Sequence, residues 1–335
     1  MRPMRKRLVQ VVLLLIVFAM VIIYMSWGSY TMSFMEIMNT LAGNGEKFQN
    51  VTIFDIRMPR LIVAILVAVA LSTSGALLQT MTKNDLADPG IIGINAGAAT
   101  AAVMFISLST TNYTQELGGL SIYVLPFLAM LGALCTAGVL YFLAGRGHIR
   151  PKRLLLMGLG IQAGMNALII LMTFRNGAGD YNRVLVWISG SLWGAGWDYV
   201  KILTPVVLIL FAATFVMWKK LDVFMLSDEH VVSLGLNINR ERKRFLLYAV
   251  LLAGAATAFA GNIGFIGLVC PHMARRLVGS YHKYCIPVSA MIAVVFILLA
   301  DSVSRNLFSP IEIPVGITLS LFGVPYFIYL LMKEN

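Results

Sequence analysis

The chain has 335 residues, of which 59% are hydrophobic and only 12% carry a charge. A soluble domain is about half apolar and about a quarter charged, so this composition excludes an ordinary soluble protein and indicates a membrane protein. In a soluble protein the net charge of +11 would suggest a nucleic-acid partner. In a membrane protein the distribution of basic residues instead indicates how the chain is oriented in the bilayer, so no nucleic-acid partner is expected.

Apolar runs long enough to cross a bilayer recur along the whole chain. They predict an all-α, polytopic membrane protein with about ten transmembrane helices. The predicted spans are residues 8–29, 61–81, 91–108, 121–144, 154–174, 202–218, 245–261, 262–279, 286–305 and 315–332. Residues 184–199 are apolar but rich in glycine, and no span is assigned to them. Because no polar stretch between spans exceeds about thirty residues, residues 1–335 are expected to form a single transmembrane domain.

Lysine and arginine are distributed unevenly between the two sides of the predicted bundle. If the N-terminus is cytoplasmic, the inner segments hold 19 basic residues and the outer segments hold 7. The positive-inside rule therefore favours an N-in and C-in orientation. Arg57, Arg60 and Arg305 fall on the outer side, so these arginines need a separate explanation.

Polar and small residues within the spans indicate how the helices contact one another. Polar side chains at membrane depth predict interhelical hydrogen bonds, with lining of a substrate path as the alternative. They are Gln79, Gln162, Asn166, Asn262 and Asp301. Asp301 and Arg305 lie four residues apart, which predicts an ion pair on one helix face. Small residues at close spacing predict contact faces, or hinges as the alternative: Gly93 with Gly97, Gly160 with Gly164, Gly190 with Gly194, and Gly254, Ala258 and Gly261.

The sequence contains no pattern that indicates catalysis or metal binding. No G-x-x-x-x-G-K-[ST] phosphate loop occurs, so the chain is not expected to bind ATP in that way. The four histidines and three cysteines are dispersed without metal-ligand spacing. We therefore interpret the chain as a transport subunit rather than an enzyme, without a metal site or a cofactor of its own.

The longest inner segment, residues 219–244, contains a predicted short surface helix. Ser227 is placed to cap it, Asp228 and Glu229 in its first turn favour the helix dipole, and Gly235 is placed to end it. The apolar residues of this helix would be exposed to water, which favours contact with another protein. They are Val231, Val232, Leu234 and Leu236. The alternative is a helix that only lies along the membrane interface.

Three stretches of sequence carry a family resemblance. Residues 57–99 contain R-x-P-R before a helix, then S-G-A-x-x-Q, N-x-L-A-D-P-G and G-x-x-A-G-A; the inner segment contains L-S-D-E-H-V-V-S-L-G-L-N; and residues 261–276 contain F-I-G-L-x-x-P-H-x-x-R, with Cys270 in place of a more usual aliphatic residue. With the last two helices, the chain from Phe54 to Leu331 resembles the FecCD/BtuC-like permease subunits of binding-protein-dependent ABC importers for iron-siderophores, haem or cobalamin. The matching structural positions are Gln79, Asn84, Pro89, Gly90, Gly93, Gly97, Gly264, Gly267, Pro271, His272 and Arg275.

The resemblance implies two functional surfaces. Residues 219–244 would be a cytoplasmic coupling loop that presses into an ATPase subunit, through Ser227, Asp228, Glu229, His230, Val231, Ser233, Leu234, Gly235 and Leu236. Arg57, Arg60 and Arg305 would pair with glutamates of an extracellular binding protein, and their alternative is local contact with lipid phosphates or helix ends. Pro271 is expected to kink or end its helix.

The resemblance also implies partners and a substrate. The partners are a second permease chain, as a homodimer or with a paralogue, a cytoplasmic ABC ATPase dimer that holds ATP and Mg, an extracellular substrate-binding protein, and the lipid of the bacterial inner membrane. It favours ferric siderophores as substrate, with haem or cobalamin as alternatives. A secondary transporter driven by an ion gradient is the alternative from another class, but only Asp301 supplies a carboxylate within a span.

Overall fold

A computed structural model describes residues 3–28, 30–109, 121–145, 151–175, 184–307 and 311–333, and all regular structure in these ranges is helical. The helices are α1 (Pro3–Ser26), α2 (Phe34–Leu41), α3 (Lys47–Asn50), a π-helical segment (Val51–Arg57), α4 (Met58–Thr82), α5 (Ile94–Ser109), α6 (Ser121–Ala144), α7 (Pro151–Arg175), α8 (Trp197–Val216), α9 (Trp218–Phe224), α10 (Asp228–Ser233), α11 (Ile238–Ala260), α12 (Ile266–Val278), α13 (His282–Asn306) and α14 (Val315–Lys333). The predicted all-α fold is confirmed.

Each of the ten predicted spans falls on one of these helices. Seven helices of the described ranges are long and apolar enough to cross a membrane, and α5 and α14 are shorter apolar helices. The span predicted at 262–279 is too long, because α12 has 13 residues and rises only about 20 Å. The backbone has a positive φ at Gly261 and again at Phe265, which separates α11 from α12 by a non-helical segment.

Helix α4 is the central element of the bundle. It contacts α8, α11, α12 and α13, and nearly all of its side chains are buried, which explains why it is apolar all round. A proline near its first turn suits a helix start. The helix ends at Lys83, which adopts a left-handed conformation with φ of 50°.

Glycines allow α4 and α12 to approach at backbone distance. A Cβ placed on Gly75 would collide with the backbone of Gly267. The predicted contact at Gly97 is confirmed, since this residue packs directly against Thr136 on α6. At Gly160 and Gly164 an added Cβ would meet no heavy atom of the described residues within 4 Å, so the predicted contact face has no partner helix in the described part of this chain. Gly190 and Gly194 are not on a helix.

The unassigned stretch 184–199 forms one helical turn at residues 184–188, then turns, and then the start of α8. Its backbone bonds to two neighbouring segments: the Ser191 N–H donates to the Ala260 carbonyl at 2.8 Å, and the Gly316 N–H donates to the Gly190 carbonyl at 3.1 Å. Irregular backbone at membrane depth requires such partners, because lipid supplies none.

The two predicted functional surfaces lie at opposite ends of α4. Arg57 and Arg60 stand at its first turn, while Lys83 at its last turn contacts Asp228 of the inner segment. The 25 residues of α4 separate the two by about 37 Å.

Candidate functional site

The outer end of α4 carries a network of charged and aromatic side chains, which we call the outer arginine cluster. Its members are Arg57, Arg60, Arg305, Tyr24, Asp301 and Glu312. Arg60 lies at its centre, with Nη2 at 2.8 Å from Asp301 Oδ1 and Nη1 at 3.1 Å from Glu312 Oε2. The cluster thereby joins α4 to α13 and to the segment that precedes α14.

The remaining members attach α1 to the same cluster. Asp301 accepts a hydrogen bond of 2.6 Å from the Tyr24 hydroxyl. Arg305 Nε lies 3.4 Å from Asp301 Oδ2, which confirms the predicted ion pair, and its guanidinium stands 4.4 Å from the centre of the Tyr24 ring. Arg57 is 3% exposed and donates to the carbonyls of Met25 and Tyr30.

This geometry bears directly on the predicted docking role of the three arginines. Their side chains are almost fully buried and have partners within the chain, so Arg57 and Arg60 serve as internal connections between helices. Arg305 differs, because its buried Nη2 has no hydrogen-bond partner among the described residues. Docking stays a prediction for all three, and Arg305 is the one with an unused donor.

The predicted surface helix of the inner segment is α10. Ser227 occupies the N-cap position as expected, but its hydroxyl pairs with His230 Nδ1 at 2.5 Å instead of capping the backbone. The helix ends at Gly235 as predicted, with φ of 81°. The N–H of Gly235 bonds to the Val232 carbonyl and that of Leu236 to the Val231 carbonyl, which is the Schellman arrangement.

The apolar side chains of α10 divide into two groups. Val231 is fully buried, so the expectation that it is exposed to another protein is wrong. Leu236 packs partly against the core, and its contact with a partner stays a prediction. Val232 and Leu234 are each 60% exposed. A six-residue helix needs one face to attach it to its own chain, which leaves the other face for a partner.

Asp228 fixes α10 to the bundle through what we call the Asp228 clamp, formed with Lys83 and Arg242. Lys83 Nζ lies 2.7 Å from Asp228 Oδ1 and also donates to the Leu226 carbonyl, and Arg242 Nη2 lies 2.9 Å from Asp228 Oδ2. Partial burial acts to raise the pKa of the Asp228 carboxyl, but the hydrogen bonds and charges of Lys83 and Arg242 outweigh it and lower that pKa.

The family-like residues of α4 and α12 meet in a second buried cluster. Pro271 does not end α12, and it has no N–H to donate to the Gly267 carbonyl four residues back. Gln79 Nε2 supplies that donor at 3.2 Å and also reaches the Leu268 carbonyl at 3.1 Å. Gln79 Oε1 in turn accepts from Arg275. The predicted interhelical role of Gln79 is confirmed.

The turn between α4 and α5 completes this cluster. Arg275 Nη2 lies 3.1 Å from Asp85 Oδ1, and His272 Nδ1 lies 4.0 Å from Asp85 Oδ2. Asn84 accepts the N–H of Leu86 at 2.9 Å, which shapes the turn. Asp85 stands at the variable position of N-x-L-A-D-P-G, so the motif gave no reason to select it.

The other predicted motif positions are structural. Pro89 Cδ lies beside Gly267, which leaves no room there for a side chain. Gly90 donates its N–H to Asp88 at 2.8 Å, and Gly93 has a φ of 84° that favours glycine. Gly264 is the exception, because an added Cβ there would meet no heavy atom of the described residues within 4 Å.

The polar residues at membrane depth behave differently on different helices. Asn262 accepts a hydrogen bond of 3.1 Å from Asn95 of α5, but it lies in the non-helical segment between α11 and α12, so the bond joins a helix to that segment and is not interhelical as predicted. Gln162 is partly exposed and Asn166 is exposed on α7, and neither makes a hydrogen bond to another helix within the described ranges.

The fold and these surfaces define a class: a multi-pass α-helical membrane permease with a helical inner loop that presents an apolar face. The chain belongs to the FecCD transport family, whose profile matches residues 13–333. It is a multi-pass protein of the inner membrane.

Relatives match along nearly the whole chain. It is 39% identical to the iron(3+)-hydroxamate import system permease protein FhuG of Bacillus subtilis, over 98% of this chain and 97% of FhuG. It is 38% identical to the Fe(3+)-citrate import system permease protein YfmE of Bacillus subtilis, over 99% and 96%. It is 32% identical to the hemin transport system permease protein HmuU of Yersinia pestis, over 92% and 90%.

A solved structure has the same fold. It is described as an inward-facing conformation of a metal-chelate type ABC transporter, and it matches with a TM-score of 0.85 and 26% identity over 97% of this chain and 98% of that chain. The predicted fold class and family are confirmed.

Proposed function

We propose that this protein is the permease subunit of an ATP-driven importer for ferric siderophores, which it receives from an extracellular binding protein. The observation that supports this substrate is the full-length similarity to permeases named for iron(3+)-hydroxamate and Fe(3+)-citrate import. The hemin permease is also similar over most of its length but less identical, so haem is the alternative within the family, together with cobalamin.

ATP hydrolysis is proposed to lie on a separate ATPase dimer, which holds ATP and Mg and contacts the coupling loop at residues 219–244. The exposed Val232 and Leu234 are the apolar contacts offered to that partner. The Asp228 clamp supports force transmission, because it connects α10 to the end of the central helix α4 through Lys83. Movement of α10 is thereby passed to the bundle.

The extracellular binding protein is proposed to dock at the end of the bundle that carries the outer arginine cluster. Arg305 is the arginine of the three whose Nη2 has no hydrogen-bond partner among the described residues, and because that atom is buried, a partner's carboxylate would reach it only after a local opening of the cluster. Charged contacts of this kind steer the encounter and fix register more than they add affinity. Arg57 and Arg60 would contribute by holding the outer ends of α1, α4 and α13 in place.

A second permease chain is proposed to cover α7. This helix exposes Asn166 and, in part, Gln162, beside Gly160 and Gly164, which no described residue covers. Polar side chains within a span usually face a bundle interior or a water-filled path rather than lipid. This face of α7 therefore suits an interface or a substrate path between two permease chains, either identical or paralogous.

An ion-gradient mechanism is less well supported. Asp301, the carboxylate placed within a span, is occupied by Arg60, Arg305 and the Tyr24 hydroxyl. A relay carboxylate must exchange its proton or ion during transport, which these fixed partners oppose.

The proposal is tested by uptake into cells that lack their own ferric siderophore permeases. Co-expression with the ATPase and the binding protein should restore uptake of radioactive ferric hydroxamate, and a partner ATPase with its phosphate-loop lysine replaced should not. Haem and cobalamin uptake are measured in the same cells. Restoration of haem or cobalamin uptake alone would replace the substrate, and uptake without a functional ATPase would overturn the ATP-driven mechanism.

A further inference from the structure

Helices α6 and α11 lie side by side and leave two grooves on the outside of the bundle. The inner groove has a volume of about 360 Å³ and is lined by Leu134, Gly138 and Tyr141 of α6 and by Lys243, Leu247 and Val250 of α11. The outer groove, also about 360 Å³, lies further along the same helices beside α8.

The two grooves are separated at the point where the helices touch. A Cβ on Gly254 would lie 3.0 Å from the Cβ of Ala133, so α6 and α11 close on each other there. The inner groove stays open beside Gly138, which has no side chain and where an added Cβ would meet no heavy atom of the described residues within 4 Å. Each groove therefore faces one leaflet of the bilayer.

The inner groove has a cation at its mouth. Lys243 Nζ lies 5.2 Å from the centre of the Tyr141 ring, near the cytoplasmic ends of both helices. Three neighbouring cations have an acidic partner: Lys220 and Arg244 share Glu241, and Arg242 shares Asp228 with Lys83. Lys243 has no acidic partner in the described ranges of the chain. Its ammonium is therefore left for an anion that comes from outside the chain.

We propose that the inner groove binds one acyl chain of an anionic phospholipid of the cytoplasmic leaflet, with the lipid headgroup at Lys243. The groove walls are apolar from Tyr141 to Leu134, a depth of about 10 Å along α6. A basic side chain beside an apolar crevice at the cytoplasmic interface suits an anionic headgroup. The outer groove, which has no cation among its described lining residues, accepts acyl chains without selecting charge.

The test compares phosphatidylglycerol with phosphatidylcholine of the same acyl chains, added to the purified permease in detergent. Native mass spectrometry counts bound lipids, and the thermal unfolding midpoint gives a second measure. One lysine at a membrane surface contributes about 1 kcal/mol toward anionic lipid, so phosphatidylglycerol should bind about fivefold more tightly. Equal binding of the two lipids would overturn the proposal.

Two variants separate the headgroup from the acyl chain. Lys243→Gln should remove the preference for phosphatidylglycerol, whereas the matched Lys201→Gln, at the other end of the bundle, should keep it. Gly138→Phe should fill the groove and weaken binding of both lipids, while Gly196→Phe, just before α8, should leave binding at this groove unchanged. A preference that survives Lys243→Gln contradicts the proposal even if Gly138→Phe does not fold. None of these measurements depends on the transported substrate.

Discussion

The outer arginine cluster and α10 lie at opposite ends of the same central helix and use their charges in opposite ways. At the outer end, Arg57 and Arg60 are buried and satisfied by groups of their own chain. At the inner end, charges fasten α10 to the bundle through Asp228, and the apolar Val232 and Leu234 point outward. The difference separates charges that hold the permease together from a surface that is free to meet a partner.

This contrast shows that a charge on the expected side of the membrane is not by itself a docking residue. Removing one member of a buried ion pair strongly destabilises the folded state, because the other charge remains buried without a partner. Replacing an exposed apolar side chain changes the stability of the isolated chain little. The same replacement can remove much of the binding energy of an interface. Substitutions in the outer arginine cluster should therefore lower stability. Substitutions on the exposed face of α10 should impair assembly with the ATPase.

The largest expected loss of stability follows Arg60→Ala. This change leaves Glu312 without Arg60 and Asp301 held only by Arg305 and Tyr24. We expect the free energy of unfolding to fall by about 3 kcal/mol, measured by denaturant or thermal unfolding of the purified permease. Lys47→Ala, which removes an exposed cation near the same end, is the control and should unfold as the original chain does. Unchanged stability with lost binding-protein affinity would instead assign Arg60 to docking.

A smaller loss is expected for Asp228→Asn, which removes the charge of the clamp and preserves its shape. Because the two ion pairs are partly exposed, the loss should be about 1 kcal/mol near neutral pH. The pKa of Asp228 is lowered in the folded state, so its stabilisation is present above the ordinary value of about 3.9 and is lost as the pH falls through the folded pKa.

Unfolding of the original chain and of Asp228→Asn is therefore compared from pH 3 to pH 8. The difference should be constant at neutral pH and should shrink below about pH 4. A difference that persists unchanged at the lowest pH would show that the carboxylate charge does not hold α10.

Gly235→Ala should cost about 1 kcal/mol, because φ at this position is 81° and only glycine adopts it without strain. The effect should appear as faster proteolysis around α10 and a lower unfolding midpoint. Gly196→Ala is the matched control, since Gly196 has a φ of −121° and open space around it. Equal effects of the two substitutions would remove the case for a constrained end of α10.

The smallest effect on stability, within about 0.5 kcal/mol, is expected for Leu234→Glu. The same change should abolish co-purification of the ATPase, because a charge would replace an apolar contact. Leu307→Glu, at a leucine that is 68% exposed at the opposite end of the bundle, should retain the ATPase. An intact complex with Leu234→Glu would show that α10 is not the coupling surface.

Much of the fold follows from local sequence, and the departures have physical causes. Apolar runs located the helices, and the dipole and glycine rules located both ends of α10. The Asp301–Arg305 pair was predictable because its members are one helical turn apart. The partner of Arg60 was not, since Asp301 lies 241 residues away along the chain. A helix as short as α10 has no periodicity that reveals its buried face, which explains the wrong expectation for Val231.

The lengths of the spans were harder to predict, because an apolar run has the same hydropathy whether its backbone is helical or not. The run at 262–279 is apolar throughout, yet α12 begins only at Ile266. The interruption depends on the positive φ at Gly261 and Phe265 and on backbone contacts with residues 187–190. Those contacts join segments that are distant in sequence.

The hydrogen bond that Gln79 donates to the Gly267 carbonyl constrains the conformational changes of the permease. A proline normally weakens a helix and allows it to bend. In α12 the backbone hydrogen bond that Pro271 cannot donate is replaced by one from Gln79 of α4. Sliding α12 along α4 would leave the Gly267 carbonyl without this partner. The two helices should therefore travel as one rigid body during a transport cycle. Opening and closing of a path would then fall to α7, which the described residues of its own chain bury only in small part and which meets the proposed second permease chain.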